Sequence, residues 1–376
     1  MPIGQQGRER RFEQPMRVPF DRGRCPRWSR AAGLPSMPRS ARPMSNPVRV
    51  VSFGLGPIGM AAARLALQKS TLQLVGAVDV DPAKVGKDLG DLLELGRTTG
   101  IQVEADAKKA LDRLKPDAVL HCTSSFLPAI KDQLLTLAER GIDVVSSTEE
   151  LLVPDHQHPE LAAELDAAAK AGGATILGTG VNPGYAMDFL AVIASAVAFD
   201  VQAVKCVRVV DAATRRQPLQ KKVGAGLTKS EFHKQLDTGK FGHIGMRESV
   251  ALVARGLGFA VDRIEHTVEP VLAPEDHKTP FLVVKEGEVA GIRNHGFGYI
   301  GKRTVVHLDL AMYVGAPDPH DTVELESVPP IQLRFPEGIP GDQATAAILV
   351  NNVHGVVASR PGLVTVLDVP VPRVAR

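Results

Sequence analysis

VRVVSFGLGPIGMAAARLALQKSTLQLVGAVDVD, residues 48–81, runs from a valine-rich segment through a glycine turn and an apolar helical pattern to a second valine-rich segment that closes on an acid. In the turn, Gly54-Leu55-Gly56-Pro57-Ile58-Gly59, each glycine has its own reason. Gly54 permits the tight bend, Gly56 lets the backbone approach a pyrophosphate with no Cβ in the way, and Gly59 lets the helix pack close on the strand. Pro57 suits the first helical turn, where its missing N–H removes no intrahelical bond. The helix N-terminus offers unpaired N–H groups and a positive dipole end, so residues 54–59 form the expected phosphate cradle. Asp79 lies twenty residues beyond Gly59, at the tip of the second strand. There a carboxylate takes both ribose hydroxyls of NAD and repels the 2′-phosphate of NADP. Lys84 and Lys87, close behind, soften that preference and keep NADP open. The plain alternative is a strand-to-helix turn with Asp79 as a cap.

At 376 residues, with 44% hydrophobic and 23% charged residues, the chain has the composition of an ordinary soluble enzyme of one large or two smaller domains. Its formal charge of +2 hides an asymmetry: residues 1–46 hold ten arginines, no lysine and three acids, which leaves the remainder at −5. A mildly acidic body argues against nucleic-acid binding. Cys25, Cys122 and Cys206 are odd in number and widely spaced, which suits a reducing cytoplasm and excludes a disulfide framework or a CxxC zinc site. No apolar stretch spans a bilayer; even residues 185–199 are broken by Asp188. The Arg- and Pro-rich residues 1–46, which carry Trp28, lack the apolar periodicity needed to fold and are expected to be disordered. Met44 stands directly before the first strand, and a chain begun there is expected to stay active; complete loss of turnover would contradict this.

Beyond Asp79, spacing predicts a helix over residues 84–95, a short strand at 102–104, a helix at 107–114 and a buried strand at 117–122. Cys122-Thr123-Ser124-Ser125 ends that strand, and open α/β sheets place their ligand at strand carboxyl ends, so Thr123, Ser124 and Ser125 are expected at the nicotinamide half of the cofactor. Ser124 or Ser125 could instead cap the next helix, 126–140. Cys122 reads as a buried thiol rather than a nucleophile, because His121 points to the other face of the strand. After a strand at 143–147 come Glu149 and Glu150; neighbours point in different directions, so only one of them is expected to face the site. A helix at 162–170 and a strand at 175–177 lead to Gly178-Thr179-Gly180-Val181-Asn182-Pro183-Gly184-Tyr185, a loop read as the domain junction and part of the pocket. A helix over 186–198 follows. From residue 201 long β-type runs dominate, including 204–210, 281–284 and 305–313, with helices at 229–236 and 246–257; helix then returns at 342–358, before a strand at 364–369. The expected fold is α/β. A Rossmann doubly wound parallel sheet spans 47–180, a second α+β domain on an open, mostly antiparallel sheet spans 181–341, and 342–376 return to the first domain. His156-Gln157-His158 suggests a metal only weakly, since no third ligand is apparent, and none is expected.

The glycine turn together with residues 75–90, Ser147-Thr148-Glu149-Glu150-Leu151, Gly180-Val181-Asn182-Pro183-Gly184 and the segments 344–347 and 360–363 resembles the 2,4-diaminopentanoate dehydrogenase family, which includes native amine dehydrogenases and is similar in fold to dihydrodipicolinate reductase. The resemblance covers most of residues 47–370. It implies NAD(P)-dependent reductive amination of a small carbonyl compound with ammonia, and the reverse oxidative deamination. A deep glutamate serves catalysis in that family, and the match assigns the role to Glu149. By position, Asn182 in the 178–185 loop is expected at the cofactor, and Pro183, Tyr185 and, more weakly, Thr345 as pocket lining; Tyr185 and Thr345 read equally as a core tyrosine and a helix-start threonine. Residues 182–341 match only in patches, and the paired histidines of dihydrodipicolinate reductases are missing. A homoserine dehydrogenase type of oxidoreductase, or a non-catalytic NAD-binding protein, remains open on these residues. A homodimer is expected, because an open sheet leaves one face to be covered.

Overall fold

The computed structural model describes residues 46–239 and 241–374; Cys25, Trp28 and the expectation of a disordered, dispensable leader lie outside them. The first half alternates strand and helix. Strands β1 (Val48–Phe53), β2 (Leu72–Val78), β3 (Val103–Glu104), β4 (Ala118–His121), β5 (Asp143–Ser146) and β6 (Thr175–Gly178) are interleaved with α1 (Pro57–Ala66), α2 (Leu89–Leu92), α3 (Ala107–Leu114), α4 (Leu127–Glu139), α5 (Pro154–Gln157) and α6 (Pro159–Gly172). All pair in parallel, in the order β6-β5-β4-β1-β2-β3. Helices cover both faces, so every residue of β4, β5 and β6 is buried and the strands read as continuous apolar runs. On α1, Ala62, Ala63 and Ala66 are fully buried, small enough for the helix to sit directly on the sheet. The strand order reverses between β1 and β4, which opens a crevice at their carboxyl ends.

After α7 (Phe189–Ala194) come β7 (Asp200–Asp211), α8 (Gln217–Lys222), α9 (Lys229–Leu236), α10 (Met246–Leu257), β8 (Arg263–Leu272), β9 (His277–Lys278), β10 (Val283–Val284), β11 (Val289–Ile300), β12 (Arg303–Tyr313), β13 (His320–Val328) and β14 (Ile331–Pro336). Six of these strands form a second sheet, β14-β13-β7-β12-β11-β8, antiparallel except for the β12–β7 pair. Its strands alternate in exposure because α10 covers only one face. Gly296 and Gly298 of β11 let that helix approach: a Cβ at either would press on Val250. The chain closes with α11 (Gly341–Val357), which packs against α1, and β15 (Gly362–Val364), which pairs in parallel with β6.

Four expected elements come out shorter; of the run expected at 281–284 only Val283–Val284 is strand, and it pairs with β9 outside the six-stranded sheet. Residues 84–95 hold only α2, because Gly86, Glu94 and Gly96 take positive φ and Asp88 gathers the N–H groups of Gly90, Thr99 and Gly100. The helix expected from residue 186 begins at Phe189, since the Asp188 carboxylate accepts from Gly184 and Phe189 and turns the chain first. The last strand is Gly362–Val364; Asp368 then takes the N–H and hydroxyl of Thr365 and folds the chain away.

Candidate active site

The glycine turn lies at the crevice, between the carboxyl end of β1 and α1. An added Cβ at Gly54, where φ is +88°, would overlap the Cys122 carbonyl, and one at Gly59 would overlap the Gly54 carbonyl, whereas Gly56 has open space above it. Gly56 caps α1 with no side-chain acceptor, so first-turn N–H groups point into that space unspent. Asp79 follows β2 directly: Oδ2 accepts from Leu55 N–H at 2.6 Å and Oδ1 from Asp81 N–H at 2.8 Å. A free cradle, unpaired helix donors and a carboxylate at the strand tip fit a nicotinamide dinucleotide.

Beside the cradle, the segment after β4 and the segment after β5 are tied together. Thr148 Oγ donates to the Ser124 carbonyl at 2.8 Å, and Glu150 N–H donates to that of Ser125 at 3.3 Å. Behind them His121, fully buried, meets Gln133 Oε1 through Nε2 at 2.8 Å and Ser146 Oγ through Nδ1 at 3.0 Å. Burial pulls its pKa down to about 4, so it is a neutral strut. Thr123 Oγ turns back into this network, donating to Gln133 Oε1 at 2.8 Å, and Ser124 Oγ accepts from Phe126 N–H at 3.2 Å. Cys122 is sunk, its thiol pushed up to about 12 by burial, and at neutral pH it is no nucleophile.

The two glutamates separate as neighbours on a tight turn must. Glu150 is structural: its Oε2 accepts from Leu127 N–H at 2.8 Å and from His158 Nε2 at 3.1 Å. It thereby caps α4, where neither Ser124 nor Ser125 does and the capping residue, Phe126, has no acceptor to offer. Glu149 faces the other way, hydrogen-bonded to Ser125. Burial pushes its carboxyl above the usual carboxylate range; Lys222 opposes that rise and Glu150 adds to it.

The opposite wall comes from the second half of the chain. At Gly245, φ +101°, an added Cβ would crowd Pro183 at 2.5 Å and Glu149 Cβ at 3.2 Å, so this glycine brings the start of α10 against both. Asp188 fixes the loop, accepting from Gly184 N–H at 2.8 Å and Ser249 Oγ at 2.6 Å. Thr345, in the first turns of α11, accepts from Val181 N–H at 3.3 Å, and Asn182 Nδ2 donates to His243 Nε2 at 3.3 Å. Burial, helped by Lys222, pulls His243 down to about 3, so it stays neutral. Tyr185 packs between the cores of the two sheets. A cavity of about 370 Å³ has Glu150, Gly245, Phe126, His243, Arg247 and Glu248 in its walls, and Glu149 lies beside it, against Gly245. Gly245, His243 and Glu248 were not singled out in the sequence; the only signal there was a glycine before a helical pattern.

Among the described residues, ligand atoms of His295, His307 and Asp309 lie within 4.8 Å of one another on the second sheet. Arg293 holds both Asp309 oxygens, at 2.9 and 2.6 Å, and fills the role a cation would take.

A glycine cradle with unspent helix donors and an acid at the tip of the second strand places the chain among nicotinamide-dependent oxidoreductases. The family model for the 2,4-diaminopentanoate dehydrogenase C-terminal domain matches residues 185–376. The 2,4-diaminopentanoate dehydrogenase of Acetoanaerobium sticklandii is 32% identical over 87% of this chain and 94% of its own length. The chain belongs to the 2,4-diaminopentanoate dehydrogenase family. An amine dehydrogenase of Streptomyces virginiae is 26% identical over 88% of this chain and 98% of its own. The structure of an amine dehydrogenase from Mycobacterium smegmatis superimposes with a TM-score of 0.78 at 28% identity, covering 88% of this chain and 98% of that one. The chain is accordingly an NAD(P)-dependent amine dehydrogenase, an oxidoreductase acting on amines. This decides against the homoserine dehydrogenase and non-catalytic readings. No helix among the described residues is long and apolar enough to cross a membrane.

Proposed function

We propose that Glu149 is the catalytic base for oxidative deamination of a small primary amine, and the acid in the reverse amination of an aldehyde or ketone with ammonia. The observation that carries this is the division of labour between the glutamates: Glu150 is spent on capping α4, while Glu149, beside Gly245, keeps a carboxyl raised by burial and has no such duty. An amine nitrogen must be neutral before hydride leaves its carbon, and Glu149 takes that proton; once the proton has passed on to solvent, the freed carboxylate gives the resulting iminium a negative neighbour. Bound nicotinamide supplies the hydride chemistry. Residues Gly54, Leu55, Gly56, Pro57, Ile58 and Gly59 cradle the pyrophosphate and Asp79 meets the ribose, with a lean to NAD. Thr123, Ser124, Ser125 and Asn182 border the nicotinamide half through backbone and loop shape. Pro183, Tyr185 and Thr345 shape the substrate end. The substrate named for the A. sticklandii relative, 2,4-diaminopentanoate, is the first to try.

Glu149 works as a base only when ionised, and burial raises its carboxyl above the ordinary value near 4.3. The kcat for amine oxidation should therefore rise with pH through a midpoint above that value. A pH–rate profile with the limb absent, or at the ordinary carboxylate position, would contradict the assignment.

The reading extends to a metal-free, cytoplasmic homodimer. On the face of the second sheet away from α10, His295, Phe297 and His307 stack on one another, with ring centroids 5.7 and 4.7 Å apart. That aromatic ridge, flanked by Arg263 stacked on Tyr299, suits the face of a second copy.

A further inference from the structure

The strand tip that carries Asp79 also carries a cation the reaction does not use. Lys84 Nζ stands 3.4 Å from Asp79 Oδ2 and 3.1 Å from Asp81 Oδ2. The turn that brings it there is built locally: Asp81 Oδ1 accepts from Ala83 N–H at 2.9 Å and the Asp81 carbonyl from Lys84 N–H at 2.9 Å. Residues 81–84 thus fold back, and the Lys84 side chain lies across the end of β2 instead of extending into solvent. Its side chain is 23% exposed against 10% for Asp79, so the ammonium lies at the mouth of the site with the carboxylate beneath it. Burial works against the lysine charge, but the two aspartates outweigh it and hold it above its usual value.

We infer that Lys84 sets the choice between NAD(H) and NADP(H), by offsetting Asp79 and giving a 2′-phosphate a partner. This rests on the reading that the glycine turn and Asp79 hold the adenosine half of a nicotinamide dinucleotide. An unpaired Asp79 would admit the ribose hydroxyls and repel a phosphate. Here each Asp79 oxygen already takes one backbone N–H, and the ammonium beside Oδ2 cancels much of the negative charge. Oδ2 is filled by Leu55 N–H and the ammonium, but Oδ1 keeps a lone pair for a ribose hydroxyl, so NAD is still accepted. An ammonium has three donors, and Asp79 and Asp81 use two of them. The third is free for a phosphate oxygen at the 2′ position. Lys87 reinforces the local field, acting on Asp81. The pair thus makes one site for two cofactors, where Asp79 alone would make it selective.

Calorimetric titration of the full chain with 2′,5′-ADP and with AMP isolates the contribution of the 2′-phosphate without turnover. In Lys84→Met the ratio of the two affinities should shift against 2′,5′-ADP by about tenfold or more, as loss of a charge-assisted contact implies, and Lys84→Arg should restore it. Equal weakening toward both ligands would mean that Lys84 only steadies Asp79, and an unchanged ratio would mean that it does not meet the phosphate; either overturns the inference. If the unsubstituted chain bound neither nucleotide, the dinucleotide reading itself would fall, and this inference with it.

Discussion

Glu149→Gln is expected to lower kcat for amine oxidation by about 10²–10⁴-fold, the usual contribution of a positioned general base, while the fold and NADH binding persist. Glutamine keeps the size and the hydrogen bond to Ser125 but can neither take a proton nor face an iminium with a full charge. The informative contrast is Glu150→Gln. Glu150 spends its carboxylate on Leu127 N–H and His158, so its loss should appear first in stability, at about 1–2 kcal/mol for a charged cap, with a far smaller change in kcat. Steady-state kinetics and denaturant midpoints on both variants read this directly. Near-normal turnover in Glu149→Gln with collapse in Glu150→Gln would exchange the two roles.

The largest stability effect should come from a pair far from the chemistry. Arg208 Nη1 donates to both oxygens of Asp321 at 2.8 Å, and both side chains are almost fully buried. The corner before α11 closes on the same pair: Arg208 Nη2 donates to the Ile339 carbonyl at 2.6 Å, and Asp321 Oδ2 accepts from Ile339 N–H at 2.7 Å. Arg215 and Arg216 then hold Asp342 in the first turn of α11, each at 3.0 Å. Burial alone disfavours both charges, pushing Asp321 up and Arg208 down, so each is tolerated only because the other is there. Asp321→Ala strands a buried guanidinium and should cost about 3–5 kcal/mol, measured as a lowered urea midpoint at unchanged slope. Replacing both partners with apolar residues should recover much of that loss. A single substitution costing under about 1 kcal/mol would mean that water reaches the pair.

The same corner shows what was legible in the sequence and what was not. The βαβ unit at residues 48–81 was readable because its constraints are local: a glycine where φ is positive, a glycine where backbones meet, alanines where a helix lies flat. The second sheet was readable in kind from its alternating strands, though the parallel β12–β7 pair inside it leaves no mark in the pattern. Helical spacing over residues 84–95 misled, because Asp88 drew three backbone N–H groups to itself and turned the chain. Arg208 and Asp321 are 113 residues apart, and nothing in the composition of either segment announces the partner. In the site, Glu149 and Glu150 were visible as a pair, but which one serves as a cap depended on the helix end that needed it. Gly245 was invisible for a related reason: its role is defined by Pro183 and Glu149, which the fold brings to it.

The central claim, that this cleft joins ammonia to a carbonyl carbon, is tested most directly by NADH oxidation with a panel of small aldehydes, ketones and keto acids, each with and without concentrated ammonium at mildly alkaline pH. The account predicts turnover that requires ammonium. Equal turnover without it would contradict reductive amination and make the protein a carbonyl reductase on the same scaffold.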